Sequence, residues 1–299
     1  MLNKNFLGLL LSSTLFVVGF VINGNIGLYF NLSGILIVIG GTFAAAMVSF
    51  KVEQLCNVVR VLFTAYRRPL TKETDVINIL IDLSIRSRME GIITLQNMEN
   101  ETTVLFLRRA LACLVDGYKI DQIRDILNTE MYFFRLRRED SERIIRGIAD
   151  YFPAFGIIGS VVGLITMLGG IGDTSVILKS IPIALTSTLY GLIFSNFFFL
   201  PFAATVRERT NQELLLQKII MEGVIAINSE INPIILKTKL ESFLTPSERE
   251  TKILSYAKLK ERFNIERELR KETQKEVILS ENVAPPETSI PYSIPIDKL

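Results

Sequence analysis

The sequence predicts an all-α membrane protein: four transmembrane helices in two hairpins, with a helical cytoplasmic domain. Three observations carry this reading. Hydrophobic residues make up 49% of the 299 residues and the mean hydropathy is +0.36, yet 21% of residues are charged. The two kinds are segregated: no Asp, Glu, Lys or Arg occurs from Asn5 to Phe50, from Tyr151 to Gly172 or from Ser180 to Val206. The first of these runs is about twice the ~20 residues that cross a bilayer as a helix. A soluble single-core enzyme is excluded.

Residues 1–50 hold the first hairpin. The turn-rich Asn23-Gly24-Asn25-Ile26-Gly27 divides a span near Asn5–Ile22 from one near Asn31–Phe50. A cleaved signal peptide is the alternative for the first span, since Lys4 precedes it. No small-x-small cleavage site follows, and a second span comes at once. The second hairpin, residues 151–203, has spans near Tyr151–Ile171 and Ser180–Ala203 joined by a short connector. Of the 33 basic residues, all but Lys4 and Lys179 lie in 51–150 or 204–299. The excess of Lys and Arg on one side places both long segments and both termini in the cytoplasm of a bacterial inner-membrane protein.

Residues 51–150 read as a cytoplasmic helical domain. In 75–96, Ile77, Leu80, Ile81, Ile85, Met89, Ile92 and Leu95 recur at helical spacing. Further amphipathic stretches run over 104–127 and 133–149. In 204–246, Leu214, Leu215, Ile219 and Val224 keep the helical period, so this part continues the fourth span. Residues 247–299 form a densely charged helix and then a proline-rich tail that reads as disordered.

With no histidine, the chain can build neither a His-ligated zinc site, nor a Ser-His-Asp triad, nor an imidazole proton shuttle. Cys56 and Cys113 read as packing in a reducing compartment. A net charge of +2 with no block of like charge offers nothing to grip nucleic acid. No catalytic constellation, metal site or bound cofactor is expected.

A protein that moves ions usually keeps an ionisable group inside the bilayer, and these spans have none. They carry small and hydroxylic stripes instead. In the third span Gly156, Gly159, Ser160, Gly163, Met167 and Gly170 share one broad face. In the fourth, Ala184, Thr188, Gly191 and Ser195 fall at i, i+4, i+7 and i+11, with Thr186 and Ser187 alongside. Two readings fit: close helix packing, as in Gly159-x-x-x-Gly163, or a narrow hydrated path lined by Ser160 and Thr188. Pro153 and Pro201 mark the cytoplasmic ends of these spans, as structural termini or as a paired hinge.

The runs ADYFPAFGIIGSVVGLITMLGG (149–170) and ALTSTLYGLIFSNFFFLPFAA (184–204) resemble the third and fourth spans of the MotA/TolQ/ExbB family. Gly40-Gly41-Thr42, Ile219-x-Met221-Glu222-Gly223 and Phe243-Leu244-x-Pro246 match as well, and the resemblance covers residues 1–250. Four spans fit its flagellar stator branch, of MotA type, rather than TolQ or ExbB, which have three.

The resemblance implies a flagellar motor stator subunit: a ring of five chains around a dimer of a MotB-like peptidoglycan-binding partner. H⁺ or Na⁺ then flows past the partner's membrane aspartate, and the ring turns the rotor protein FliG. On the same basis Ser160 and Thr188 line the ion path, Pro153 and Pro201 are the coupling hinges, and Arg88 faces the rotor. The acidic residue expected eight positions after Arg88 is Gln96, and Glu99, three residues on, takes its place. Serine at 160 matches neither the threonine that sodium-using relatives tend to carry nor the alanine common in proton users. With only Ser160 and Thr188 per chain, however, the small number of oxygens favours protons over sodium. A TolQ/ExbB-like energiser and a non-transporting four-span structural protein are the competing readings.

Overall fold

The computed structural model describes residues 11, 14–22, 26–67, 71–92, 95 and 105–245. Most of the predicted first span's N-terminal half, Gln96, Glu99 and the 247–299 tail lie outside the described residues. Among the described residues all regular structure is helical. A 3-10 turn, Ile26–Tyr29, leads into α1 (Leu32–Ser49), followed by α2 (Val52–Arg67), α3 (Glu73–Glu90), α4 (Leu105–Val115) and α5 (Ile120–Gly169). Then come α6 (Thr174–Ile193), a π-helical segment (Phe194–Phe199), α7 (Leu200–Asn228) and α8 (Pro233–Glu241). Among the described residues three helices are long and apolar enough to cross a membrane: α1, α5 and the continuous run Thr174–Asn228.

The chain forms two compact units. The first comprises residues up to Leu70 together with Glu130–Leu214. Its core joins Val38 and Ala46 of α1, Val58 of α2, Ile144, Ile145, Ile148 and Phe152 of α5, and Ala203 and Val206 of α7. Its outer surface stays apolar: Val48 is 90% exposed and Leu185 69%. Such a surface is untenable in water and suits a lipid or subunit environment.

The second unit comprises Thr71–Thr129 and the residues from Leu215 onward. Here α8 packs on α3, with Leu80, Ile81, Leu236 and Leu240 fully buried. Gly223 explains part of a signature motif, since a Cβ there would stand 2.6 Å from Leu80 Cδ1. The neighbouring Met221 is 1% exposed.

Several boundaries differ from the expectation. The helix predicted over 75–96 stops at Glu90, because Gly91 adopts φ 87°, a conformation open chiefly to glycine. The 104–127 stretch is two helices, broken where Gly117 takes φ 76°. The 133–149 stretch and the third span are one 50-residue helix, α5. The helix that holds the predicted fourth span starts earlier than expected, at Thr174, where Asp173 Oδ1 accepts the Ser175 N–H at 2.9 Å as an N-cap.

Candidate functional site

The small residues of α5 and α6 meet across a close seam. A Cβ on Gly163 would lie 2.6 Å from the Ala184 backbone nitrogen, and one on Gly156 3.1 Å from the Ser187 carbonyl oxygen. On Gly159 it would stand 2.6 Å from Ser187 Cβ and Oγ. Glycine is required wherever backbones come this near. Ser187, which spacing had put beside the stripe, is fully buried at its centre, while Thr188 is half-buried.

Ser160 and Thr188 come together at this seam. Their hydroxyl oxygens lie 2.5 Å apart. Ser160 Oγ also lies within hydrogen-bond distance of the Ala184 carbonyl oxygen and 3.2 Å from that of Gly156. Thr188 Oγ1 is 3.4 Å from the Gly156 oxygen. Each hydroxyl has one proton to give. The shortest contacts are satisfied together when Thr188 donates to Ser160 and Ser160 donates to the Ala184 carbonyl. The pair can orient a proton or a water but can hold no charge. Within the charge-free stretches of α5 and α6 no side chain can.

Pro153 is not a helix end. It lies deep inside α5, so it removes the N–H that would bond the Ala149 carbonyl, and its ring crowds that turn. The preceding carbonyl, of Phe152, faces Gly191 of α6. Phe152 is buried and its ring packs 5.4 Å from Phe194 and 4.8 Å from Phe199. Pro201 is exposed, two residues into α7 and directly after the π-helical segment. There the Leu200 N–H reaches back to the Ser195 carbonyl, a five-residue step. Prolines and π-bulges are both places where helices kink, and π-bulges are frequent at functional sites.

Two features escape sequence reasoning. Pro182 sits inside α6. Tyr190 Oη accepts the Asn31 N–H at 2.7 Å and donates to the Tyr29 carbonyl, which ties α6 to the start of α1. The only sequence signal was Tyr190's place in the Thr-x-Tyr-Gly motif.

Arg88 is exposed in the last turn of α3, where Ile81 and Ile85 are buried and Met89 half-buried. The acidic residue proposed to act with it, Glu99, lies outside the described residues. In the same unit, Glu222 of α7 is clamped by Lys239 Nζ at 2.6 Å and Lys218 Nζ at 3.4 Å. Burial pushes its carboxyl up, but the hydrogen bonds and charges of Lys239 and Lys218 outweigh this and hold it below its ordinary value.

Fold and seam together define a helical membrane subunit whose tight interhelical seam carries paired hydroxyls and no Asp, Glu, Lys or Arg. Residues 97–218 match the MotA/TolQ/ExbB proton channel family. The chain is 30% identical to chemotaxis protein PomA of Vibrio alginolyticus over 247 residues, covering 83% of this chain and 97% of that protein. It is 32% identical to motility protein A of Borreliella burgdorferi over 224 residues, 75% and 86% of the two chains. Its fold matches the flagellar MotAB stator complex from Bacillus subtilis with a TM-score of 0.76 and 26% identity, over 82% of this chain and 96% of that one. The chain belongs to the MotA/TolQ/ExbB proton channel family.

Proposed function

We propose that the chain is a flagellar motor stator subunit which, with a MotB-like peptidoglycan-binding partner, forms an ion channel and converts ion flow into torque on FliG. One observation carries this reading: Ser160 and Thr188 meet at 2.5 Å in a seam that contains no ionisable group. A path of hydroxyls needs a titrating group from elsewhere, and the partner's membrane carboxylate supplies it. Four spans in two hairpins, five chains in a ring, and cytoplasmic termini in the inner membrane complete the reading. Arg88 and Glu99 face the rotor, and Pro153 and Pro201 serve as hinges.

The conducted ion is the proton. A sodium ion needs several oxygen ligands, and each chain offers only two hydroxyls here. Those two hydroxyls are hydrogen-bonded to each other, the arrangement of a proton relay.

Ion flux in membrane vesicles tests the proposal. The chain alone should conduct neither protons nor sodium. Coexpression with the partner, freed of its periplasmic plug, should create a proton conductance. Robust flux through the chain alone rejects the reading.

A further inference from the structure

We propose that a cavity between α2 and α5 binds a phosphate-bearing anion. The cavity, about 360 Å³, lies within the first unit. Arg60, Arg137 and Arg138 line it together with the amides of Gln54 and Asn57, over an apolar floor that includes Phe134. That volume is within the range of small-molecule sites.

The charges are unbalanced. Arg138 is fixed in place, 3.3 Å from Glu213 and with its guanidinium 5.2 Å from the Phe134 ring centre. Asp140, the one carboxylate in the lining, is engaged 3.3 Å away by Arg143. Among the described residues no carboxylate pairs with Arg60 or Arg137. Arg60 and Arg137 are exposed, so an anion reaches both from solvent, and a planar guanidinium fork matches phosphate oxygens bidentately.

The position supplies such an anion. Helix α2 begins three residues after Ser49, the end of the membrane-length α1. It exposes an apolar row on a separate face: Val52 at 63%, Val59 at 66%, Phe63 at 56% and Tyr66 at 58%. That face suits the bilayer boundary, while the polar face opens onto the cavity. On the cytoplasmic orientation proposed above, both inner-leaflet lipid phosphates and soluble phosphates are within reach.

The test uses the full chain purified in detergent, with two probes. Calorimetric titration with inorganic pyrophosphate reports a soluble ligand. Native mass spectrometry with added phosphatidylglycerol, against phosphatidylcholine, reports a lipid headgroup. The unsubstituted chain should bind at least one anion, and Arg60→Gln with Arg137→Gln should weaken it by about tenfold or more. Asn57→Asp, which places a carboxylate in the cavity without removing a cation, should weaken it too. Arg124→Gln, in the other unit, should bind as the parent does. Pyrophosphate binding assigns the site to a soluble phosphate, and selective phosphatidylglycerol binding assigns it to a lipid. Binding of neither anion overturns the proposal. So does a double substitution that disrupts the oligomer while leaving anion binding unchanged, which makes these arginines a subunit contact.

Discussion

A Cβ on Gly191 would stand 2.5 Å from the carbonyl oxygen of Phe152, the residue before Pro153. At the turn that Pro153 disturbs, α5 and α6 therefore meet backbone to backbone, with Gly156 Cα also 3.2 Å from the same point. The contact is atom-on-backbone, so no rotamer change relieves it. Gly191→Ala should destabilise the packed pair by about 1–3 kcal/mol, seen as less protein in the membrane and a lower Tm in detergent. A variant with unchanged Tm and membrane level contradicts the seam.

The two prolines lie in α5 and at the start of α7. Pro153 interrupts the hydrogen-bond ladder of α5, and Pro201 follows the π-helical segment beside Phe199. If they are hinges, Pro153→Ala or Pro201→Ala restores a regular ladder and stiffens the turn. Fluorescent variants should still assemble at the motor while tethered cells stop rotating. Loss of the protein from the membrane makes the prolines structural instead.

The hydroxyl pair separates relay from packing. Ser160→Ala removes the oxygen that bridges Thr188 and the Ala184 carbonyl, with little change of volume. Proton flux through the unplugged complex should fall while assembly persists; Thr188→Ser, which keeps its oxygen, should conduct. Swimming should continue without external sodium and stop with a protonophore. Motility that follows sodium at fixed pH overturns the proton assignment.

Much of this was legible in the sequence, and the gaps have physical causes. The membrane spans follow from charge-free runs, a one-dimensional property. The approach of Ser160 to Thr188 follows from small residues at helical spacing, because only those faces can pack closely. Sequence spacing fixes a face only to within about a third of a turn, which is why Ser187 rather than Thr188 proved the buried centre. The Tyr190 link to Asn31 joins residues 159 positions apart, and Arg138 meets Glu213 across 75. Such pairings depend on tertiary placement that local periodicity does not encode. The π-helical segment was hidden too, since Phe194–Phe199 reads as an ordinary apolar helix.

Glu222 gives a pH signature. Its carboxyl is held below the ordinary value by Lys239 and Lys218. A lowered folded pKa gives stability that is present above the unfolded value, about 4.3, and lost as pH falls through the folded one. Glu222→Gln, which leaves two ammonium groups facing each other, should lower Tm by roughly 1–4 °C near neutral pH. The difference should close below about pH 4. A gap that persists unchanged in acid means the pairs are not its source.

Arg88 tests how torque leaves the membrane. It is exposed at the end of α3, while the stripe through Ile81 and Ile85 is buried, so its replacement should leave the fold intact. An exposed charge contributes about 0–1 kcal/mol to stability even when paired, whereas charge patterns across an interface set register and association rate. Arg88→Glu should therefore impair swimming at normal expression yet leave proton flow through the unplugged complex unchanged. A compensating charge reversal on the rotor should restore part of the motility, which a purely structural defect would not allow. Gln96 cannot supply the complementary negative charge, so Gln96→Ala should change almost nothing and Glu99→Lys should give a milder defect of the same type. Swimming speed, scored beside vesicle flux, separates the two halves of the machine: a fall in both assigns Arg88 to assembly, and a fall in speed alone assigns it to the rotor contact. Normal swimming by Arg88→Glu, retained when Glu99 is reversed as well, removes this helix from the rotor interface.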